Sequence, residues 1–257
     1  MSHKRVTVGA VIVTHNAQQW LPDLIASIDG QTRSVDYRIA IDDASSDATV
    51  RLLREAGWIV EQATSMATDV TTRIAQNFTQ GVRSLSDVDL CVIGDHDDYW
   101  LPDRVDHQML VLEENPEAWM VASDGRIMNQ SQTLRDTFPI PADWENLSHR
   151  RRIRYALRHS IATGGVCTVR PAGLLSPSTR ATPVPYRWLH DRWWSLSALA
   201  CDALVIDRQP VVEYRLSDSQ HTGLRRGRQS RKVPLPRLDD LGKMRRSVQL
   251  LRPKSRF

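Results

Sequence analysis

The sequence predicts one α/β domain with a doubly wound, mostly parallel β-sheet and helices on both of its faces. Apolar segments of strand length alternate with helical segments through the first hundred residues, a pattern typical of parallel sheets. The strand segments are nearly continuous apolar runs, as expected where helices cover both faces of a sheet. With 257 residues, of which 41% are apolar, the chain is also long enough to bury a sizeable core.

Each element of the first half follows from its local pattern. The segment 6–14 is β-branched and almost wholly apolar, which indicates a buried strand. Apolar side chains then recur at helical spacing, and Gly57 ends the second helical segment. We predict strands at residues 6–14, 37–41, 58–60 and 88–93, and helices at residues 18–29, 46–57 and 69–83.

The second half is less regular. Pro102 favours the first turn of a helix, and residues 177–185 are rich in proline, which predicts a loop. We predict helices at residues 102–114 and 188–200, a basic helix or loop at 145–159, strands at 119–123 and within 162–169, and two short strands between 203 and 214.

Polar clusters directly follow three of the predicted strands, at residues 14–16, 42–43 and 95–98. In a doubly wound sheet, ligands bind beyond the carboxyl ends of the parallel strands. We therefore expect these three clusters to lie along one rim of the sheet and to form its ligand site.

The third cluster contains three carboxylates, Asp95, Asp97 and Asp98, within four positions. Neighbouring carboxylates repel one another unless a cation or a hydrogen-bond donor compensates their charge. Mg²⁺ and Mn²⁺ prefer oxygen ligands and commonly bridge to phosphates, so the cluster predicts a metal that clamps a diphosphate. The chain has neither a G-x-G-x-x-G nor a Walker motif that would bind phosphates instead. The alternative is a solvated acidic turn that caps the helix at Pro102.

Three motifs follow one another along the chain: VGAVIVTHN (8–16), IAIDDASSDAT (39–49) and VIGDHDDYWLPDR (92–104). Their order and spacing resemble those of family 2 glycosyltransferases with the GT-A fold. The acidic run followed by Tyr-Trp-Leu-Pro is similar to the rhamnosyltransferase-like branch of that family. Further matching segments lie at residues 122–124, 163–165, 190–194 and 213–215, so the resemblance covers roughly residues 6–223.

The resemblance implies a nucleotide-sugar donor, a UDP- or dTDP-sugar, bound at the rim. The residues that would line the nucleotide pocket are Thr14, His15 and Asn16. Asp43 would accept a hydrogen bond from the base, and Asp95 would lie near the ribose or the metal. Asp97 would coordinate a Mn²⁺ or Mg²⁺ ion that bridges the diphosphate. As alternatives, Thr14 or Asn16 could cap a strand end, and Asp47 is more readily a helix cap than a ligand.

The same resemblance implies that Asp191 takes the proton from the acceptor hydroxyl. Inverting transfer needs an in-line attack on the anomeric carbon, and a carboxylate base opposite the leaving diphosphate contributes about 10²–10⁴ in rate. Asp191 could instead cap its helix or pair with Arg187 or Arg192. The residues assigned to the acceptor side are Gly164, Gly165, Trp193 and Trp194, although each tryptophan could equally pack in the core.

The sequence departs from the branch near its end, where Ser217 stands in place of the histidine of the usual Tyr-Arg-x-His run. His221 follows four residues later. We assign it as a metal ligand beside Asp95 and Asp97, with a purely structural role as the alternative.

The charge is uneven along the chain. Residues 225–257 contain twelve lysines or arginines and two aspartates, a net charge of +10 in a chain whose total is +4. We therefore predict a catalytic domain at residues 1–223 and a basic tail at residues 224–257 that would hold the protein against an anionic membrane surface. A solvated, unstructured end is the alternative.

The cellular location follows from what the sequence lacks. Its three cysteines are widely spaced, its apolar runs are too short to span a bilayer, and its first residues do not have the apolar segment of a signal peptide. These features predict a cytoplasmic protein, attached peripherally to the inner face of the cell membrane through the tail.

The leading hypothesis is a metal-dependent inverting hexosyltransferase that adds a sugar to a glycan or lipid-linked acceptor in cell-surface polysaccharide synthesis. Two other classes stay open. One is a nucleotide-sugar-binding subunit without activity, which the presence of Asp97 and Asp191 disfavours. The other is a protein that binds nucleic acid or membrane through its tail, although we expect no nucleic-acid partner. A nucleotidyltransferase is disfavoured because the loop after the first strand lacks glycine and lysine.

Overall fold

A computed structural model describes residues 5–137, 139–176 and 183–216 of the chain. Strands and helices alternate through the first half in the predicted order. The elements of this half are β1 (Val8–Thr14), α1 (Leu21–Asp29), β2 (Tyr37–Asp42), α2 (Thr49–Glu55), β3 (Ile59–Gln62), α3 (Val70–Ser84), β4 (Leu90–Asp95), β5 (Tyr99–Trp100) and α4 (Arg104–Glu114). Those of the second half are β6 (Met120–Ile127), α5 (Leu134–Thr137), α6 (His149–Ala156), β7 (Cys167–Val169), α7 (Pro171–Leu174), α8 (His190–Ala200) and β8 (Leu204–Tyr214).

In the described residues, eight strands form one sheet in the order β3-β2-β1-β4-β7-β6-β8-β5. The half made of β3, β2, β1 and β4 is parallel throughout. In the other half, β7 runs antiparallel to both β4 and β6, β8 runs parallel to β6, and β5 runs antiparallel to β8. The predicted α/β class is confirmed, and the sheet is mixed beyond β4.

β1 lies inside the parallel half of the sheet and is buried at every residue. A Cβ atom added at Gly81 of α3 would lie 2.5 Å from Val11 Cγ1, so α3 packs directly on that face of the strand. Successive side chains of a strand point to opposite faces, and Ala10 and Ile12 on the other face are also fully buried. Both faces of the sheet are therefore covered at this strand, as its apolar run predicts.

The second half differs from its prediction at residues 203–214, where one strand, β8, replaces the two short strands that we expected. β8 follows β6 with register shifts on either side of Asp124, which pairs with Pro210. Proline has no N–H to donate to the ladder, so the strand continues through an irregularity at this point. The basic segment 145–159 contains a 3₁₀ turn, Trp144–Asn146, and the short helix α6.

Some predictions fall outside the described residues, among them the basic tail, Ser217 and His221, and they stay predictions. In the described part of the chain, no helix is both long and apolar enough to cross a bilayer. Cys91, Cys167 and Cys201 are free thiols, as their spacing predicts.

Candidate active site

The carboxyl ends of β1, β2 and β4 lie side by side, as the sequence predicts. Thr14 pairs with Asp42 across β1 and β2, and Val13 pairs with Asp95 across β1 and β4. The three polar clusters therefore meet along one rim of the sheet.

Hydrogen bonds join the loops that follow β1 and β2. Asn16 has a positive φ of 49°, which asparagine tolerates better than most residues. Its Oδ1 accepts a hydrogen bond of 2.8 Å from the backbone N–H of Ser46. His15 Nδ1 lies 2.6 Å from the carbonyl oxygen of Asp43. Both His15 and Asn16 are exposed at the rim, where a ligand can reach them.

Two more of the predicted nucleotide-site residues, Thr14 and Asp43, are engaged by neighbouring side chains. Thr14 is 1% exposed and its hydroxyl donates to Asp42 Oδ1 over 3.0 Å, so its side chain fixes the strand end. Asp43 Oδ2 accepts a hydrogen bond of 2.6 Å from Arg73 Nε of α3. The sequence analysis missed Arg73 because no motif distinguishes it from other polar residues of its helix. Its guanidinium holds the Asp43 carboxylate in place at the rim.

The acidic loop, residues 95–98, connects β4 to β5. Asp97 and Asp98 are buried, at 7% and 1% exposure. Burial and the neighbouring Asp97 carboxylate raise the pKa of Asp95 to about 7, and the same two causes raise the pKa of Asp98 well above its usual range. Loss of water disfavours the charged form of a carboxylate, so a cation in this loop would relieve an unfavourable concentration of negative charge.

Two glycines approach the acidic loop from the opposite side. The 3₁₀ turn Gly164–Val166 leads into β7, which runs antiparallel to β4 and therefore begins beside its end. The backbone of Gly165 lies close enough to the Asp95 carboxylate to lower its pKa, against the effect of burial. A Cβ atom at Gly165 would lie only 2.5 Å from Asp98 Oδ2, so the backbone can come this close only because glycine has no side chain. Gly165, which the resemblance predicts on the acceptor side, packs against the acidic loop in the structure.

Asp191 lies in the first turn of α8 and is 7% exposed. Burial raises the pKa of Asp191 to about 6, although hydrogen bonds from the backbones of Arg192 and Gly164 act in the opposite direction. The charge of Asp191 in turn contributes to the raised pKa of Asp95. The structure therefore brings the predicted base and the predicted metal ligand into one site.

The alternative roles of Asp191 are seen only in part: Asp191 Oδ1 accepts a hydrogen bond of 2.6 Å from the backbone N–H of Arg192, and the charge of Arg192 lowers the pKa of Asp191. The N-cap residue of α8 is Leu189. Arg187 pairs with Asp69 across 3.4 Å, and the guanidinium of Arg192 stacks on a tryptophan ring at 3.9 Å from its centroid. The proton-acceptor role of Asp191 stays a prediction.

Trp193 and Trp194 are each 2% exposed. Trp194 packs edge-on against the ring of His190 with 4.8 Å between centroids, and Trp193 packs edge-on against Trp188 at 6.3 Å. Side chains this deeply buried present almost no face on which a sugar could stack. The structure therefore favours core packing for both tryptophans over the acceptor contact that the sequence left open.

Two arginines without a role in the sequence analysis contact the acidic loop or its strand. The backbone N–H of Arg215 donates to Asp98 Oδ1 over 3.2 Å, and its Nε donates to the Asp97 carbonyl oxygen over 3.0 Å. Arg104 is fully buried, and its Nη2 donates to the Ile93 carbonyl oxygen over 2.6 Å. Both residues fall inside matching segments, but only the tertiary structure shows their partners.

The acidic loop fits a divalent cation whose coordination a ligand completes. Among the described residues, no group of three His, Cys, Asp or Glu side chains is arranged to hold a metal by itself. Asp98 Oδ2 is buried and has no hydrogen-bond partner within the part of the chain that the structure describes. Mg²⁺ commonly binds one or two carboxylates together with substrate phosphates. Asp95 and Asp97 with two diphosphate oxygens would suit such an ion, and His221 lies outside the described residues.

Comparison with known proteins agrees with this fold. The profile of Glycosyl transferase family 2 matches residues 10–175, a range that includes the rim, the acidic loop and the glycine pair. A comparison with curated protein sequences gives no significant match.

Solved structures are similar in fold at low sequence identity. S. aureus TarS in complex with UDP-GlcNAc has a TM-score of 0.62 at 13% identity, covering 84% of this chain and 60% of that one. The mannosyltransferase PcManGT from Pyrobaculum calidifontis, in complex with GDP-Man and Mn²⁺, has a TM-score of 0.57 at 17% identity, with coverages of 84% and 59%. Glucosyl-3-phosphoglycerate synthase from Mycobacterium tuberculosis, with Mn²⁺, UDP and glucosyl-3-phosphoglycerate, has a TM-score of 0.55 at 18% identity, with coverages of 97% and 82%.

The chain spans about three fifths of the length of the TarS and PcManGT chains that it matches. The similarity in fold confirms the predicted GT-A architecture, and the assignment to the rhamnosyltransferase-like branch stays a prediction. Because the family profile matches more than half of the chain, this protein belongs to glycosyl transferase family 2.

Proposed function

We propose that this protein is an inverting glycosyltransferase that moves a sugar from a nucleoside diphosphate donor to an acceptor hydroxyl, with Asp191 as the base. The observation that supports this proposal most is that two carboxylates, those of Asp191 and Asp95, lie beside the backbones of two consecutive glycines. The backbone of Gly164 lowers the pKa of Asp191 and that of Gly165 lowers the pKa of Asp95, and a Cβ atom on Gly165 would lie 3.0 Å from Asp95 Oδ2. A donor between the acidic loop and α8 would therefore have its diphosphate at one carboxylate and its anomeric carbon near the other.

The nucleotide would lie along the rim formed by the ends of β1 and β2. His15 and Asn16 are exposed there, and Arg73 holds the carboxylate of Asp43 at the same edge. A carboxylate acceptor suits the N3–H of uracil or thymine, which favours a UDP- or dTDP-sugar. Proteins of similar structure form complexes with UDP, UDP-GlcNAc or GDP-Man. Nucleotide sites on this fold therefore accept more than one base.

Asp97 and Asp95 would hold Mn²⁺ or Mg²⁺ together with the diphosphate, and Mn²⁺ is present in two of the similar structures. When bound, the cation would stabilise the charge that develops on the leaving diphosphate. The chain's own contribution is to keep the carboxylates close together and out of water. Asp97 is 7% exposed, and its backbone carbonyl is held by Arg215.

Asp191 is suited to accept the proton of the attacking hydroxyl. With a pKa of about 6, the carboxylate is ionised at neutral pH and yet more basic than an ordinary aspartate. Its place in the first turn of α8 also favours the ionised form, because the amino end of a helix has a partial positive charge. Burial of the side chain limits competing attack by water.

The acceptor would approach from the side of α6 and α8. Arg192 Nη2 donates to the Leu157 carbonyl oxygen over 3.1 Å, which places the end of α6 beside the helix that contains Asp191. The outer face of α6 is basic, with exposed side chains at Arg150, Arg151 and Arg154. Such a surface suits a glycan linked to a lipid phosphate at an anionic membrane. A basic tail would add to this attraction, and the proposed setting is a cytoplasmic enzyme, bound peripherally to the membrane, that acts in cell-surface polysaccharide synthesis.

The proposal is tested first by thermal shift with UDP, dTDP and GDP and a panel of their sugars, each with and without Mn²⁺. A stabilisation that requires both nucleotide and metal is expected, of about 2.7 kcal/mol when the ligand is at 100 times its Kd. Donors that stabilise the protein are then assayed for release of the nucleoside diphosphate in the presence of a panel of glycan and lipid-linked acceptors. Absence of any metal-dependent shift would refute the proposal, and metal-dependent binding with no release would favour the non-catalytic subunit.

A further inference from the structure

Arg215 directly follows β8 and contacts both the acidic loop and the start of α1. Its Nη2 lies 3.0 Å from Asp23 Oδ2, and its guanidinium carbon lies 4.7 Å from the ring centroid of Trp20. On the other side, its Nε donates to the Asp97 carbonyl oxygen and its backbone N–H donates to Asp98 Oδ1. A single residue therefore joins two segments that the sheet alone does not connect.

The geometry of these contacts matters more than their charge. The Arg215–Asp23 pair is partly exposed, with side-chain exposures of 19% and 61%, so its Coulombic attraction is screened by solvent. The guanidinium is planar, however, and its donors have fixed directions. Because one edge is bound to Asp23 and a ring packs on its face, the Nε–H can meet the Asp97 carbonyl in only one orientation.

The acidic loop needs such a support. β4 ends at Asp95 and β5 begins at Tyr99, so residues 96–98 are outside the strand ladder. The backbone hydrogen bond across the turn, from Asp98 N to Asp95 O, is 3.5 Å long and therefore weak. The two hydrogen bonds from Arg215 add contacts where regular secondary structure contributes few.

We propose that Arg215 is a positioning residue for the diphosphate and metal site, which holds the backbone of Asp97 at a set distance from α1. Trp20 and Asp23 follow the loop that contains His15 and Asn16. The contacts of Arg215 therefore fix the position of the metal site relative to the nucleotide side of the rim. The inference rests on the proposed function. It goes beyond that function because it predicts that the affinity for Mn²⁺ falls when the Arg215 side chain is removed.

The test uses the full chain with Arg215→Ala, Arg215→Lys and, as a matched control, Arg51→Ala, which removes an exposed arginine from its pair with Glu55. The Kd of Mn²⁺ is measured by calorimetry in the presence of saturating UDP, and the Mn²⁺ dependence of turnover is measured separately. We expect Arg215→Ala to weaken Mn²⁺ binding about tenfold, equivalent to about 1.4 kcal/mol. The kcat at saturating Mn²⁺ should fall by less than the Mn²⁺ affinity does, because a bound ion itself holds the loop in place.

Arg215→Lys keeps the positive charge near Asp23 but lacks the planar fork, and should weaken Mn²⁺ binding by an intermediate factor. If Arg215 acts through its anchor, Asp23→Ala should weaken Mn²⁺ binding in the same direction. The double variant with Arg215→Ala should then be no weaker than Arg215→Ala alone, because coupled residues are not additive. Arg51→Ala should bind Mn²⁺ as the wild type does. If Arg215→Ala fails to fold, the lysine and Asp23 variants decide the question.

Unchanged Mn²⁺ affinity in Arg215→Ala, or strictly additive effects in the double variant, would overturn the inference while leaving the proposed function intact. A fall in kcat at saturating Mn²⁺ with unchanged metal affinity would also overturn it. A wild-type protein that binds no UDP in the presence of Mn²⁺ would refute the proposed function itself, and the inference with it.

Discussion

Gly165→Ala tests the close approach of the glycine turn to the acidic loop. The added Cβ atom would lie 2.5 Å from Asp98 Oδ2 and 3.0 Å from Asp95 Oδ2. In the described residues, the positive-φ positions do not include Gly165, so an alanine there is strained by the contact and not by its backbone conformation.

The size of the effect follows from these distances. An unstrained carbon–oxygen contact is about 3.3–3.6 Å, so one or both carboxylates must move by about 0.5–1 Å to accept the methyl group. Displacement of a catalytic group by about 1 Å can cost about 10² in rate. Overpacking of this kind destabilises a protein by about 1–3 kcal/mol, which lowers the Tm by about 2–4 °C per kcal/mol in a domain of this size.

The variant is assayed for donor-dependent release of nucleoside diphosphate, for the Kd of Mn²⁺ with UDP, and for Tm. We expect a fall in turnover of about 10² and weaker metal binding in a protein that is still folded. Gly30→Ala is the matched control, because its Cβ would meet only a backbone oxygen at 3.3 Å and its φ is −83°. Wild-type turnover and metal affinity in Gly165→Ala would refute the tight approach on which the site geometry depends.

Three further predictions concern the metal ligand, the base and the tail. Asp97→Ala should abolish the Mn²⁺-dependent binding of UDP, measured by calorimetry with and without the metal. Asp191→Asn should leave donor affinity near wild type and slow transfer by at least about 10². Because burial raises the pKa of Asp191 to about 6 in the free protein and the base must be ionised, wild-type kcat/KM should rise with pH up to about 6 and then level off. Deletion of residues 225–257 should weaken binding to anionic vesicles at low salt, measured by co-sedimentation.

The outcomes that contradict these predictions are distinct. Metal-dependent UDP binding in Asp97→Ala would move the metal elsewhere, and near-normal transfer by Asp191→Asn would move the base. Arg192, Asp95 and Cys167 also interact electrostatically with Asp191. A kcat/KM that does not change between pH 5 and 8 would exclude Asp191 as the titrating base. Unchanged vesicle binding after the deletion would show that the tail is not the anchor.

The raised pKa of Asp191 also affects stability. As the pH rises, activity should increase, whereas the contribution of Asp191 to stability should decrease. A carboxyl group whose pKa is higher in the folded protein than in the unfolded chain binds its proton more tightly in the folded state. Its contribution to stability is therefore present at low pH and is lost as the pH rises from 3.8 towards about 6. Asp191→Asn should reduce this part of the pH dependence of Tm.

Much of the fold could be predicted because the parallel half of the sheet is encoded locally. β1 and β4 are apolar on both faces, and their ends are followed by polar residues, so the strand pattern and the position of the rim follow from spacing. The edge of the sheet that is formed by β8 and β5 is different. β5 has two residues and β8 pairs through an irregular register, and neither feature has a periodic pattern that a sequence would show.

The residues of the candidate site likewise fall into two groups, those that the sequence indicates and those that only the structure reveals. Asp95, Asp97 and Asp191 could be proposed from motifs, because each lies in a segment with a characteristic run of residues. The positions of Arg73 and Arg215 could not, because the partners of each lie in distant segments. Trp193 and Trp194 show most clearly what a sequence cannot predict. The sequence allowed either contact with a sugar or packing in the core, and their exposure of only 2% favours the core.

The sequence by itself determined the α/β class, the order of the strands along the chain, and the family to which the protein belongs. These follow from periodicity and from short motifs, which are local. The tertiary structure alone decided that the glycine turn closes on the acidic loop, that Asp191 shares a site with Asp95, and that Arg215 braces the loop against α1. Those are contacts between segments far apart in sequence, and only the packing of the sheet and its helices brings them together.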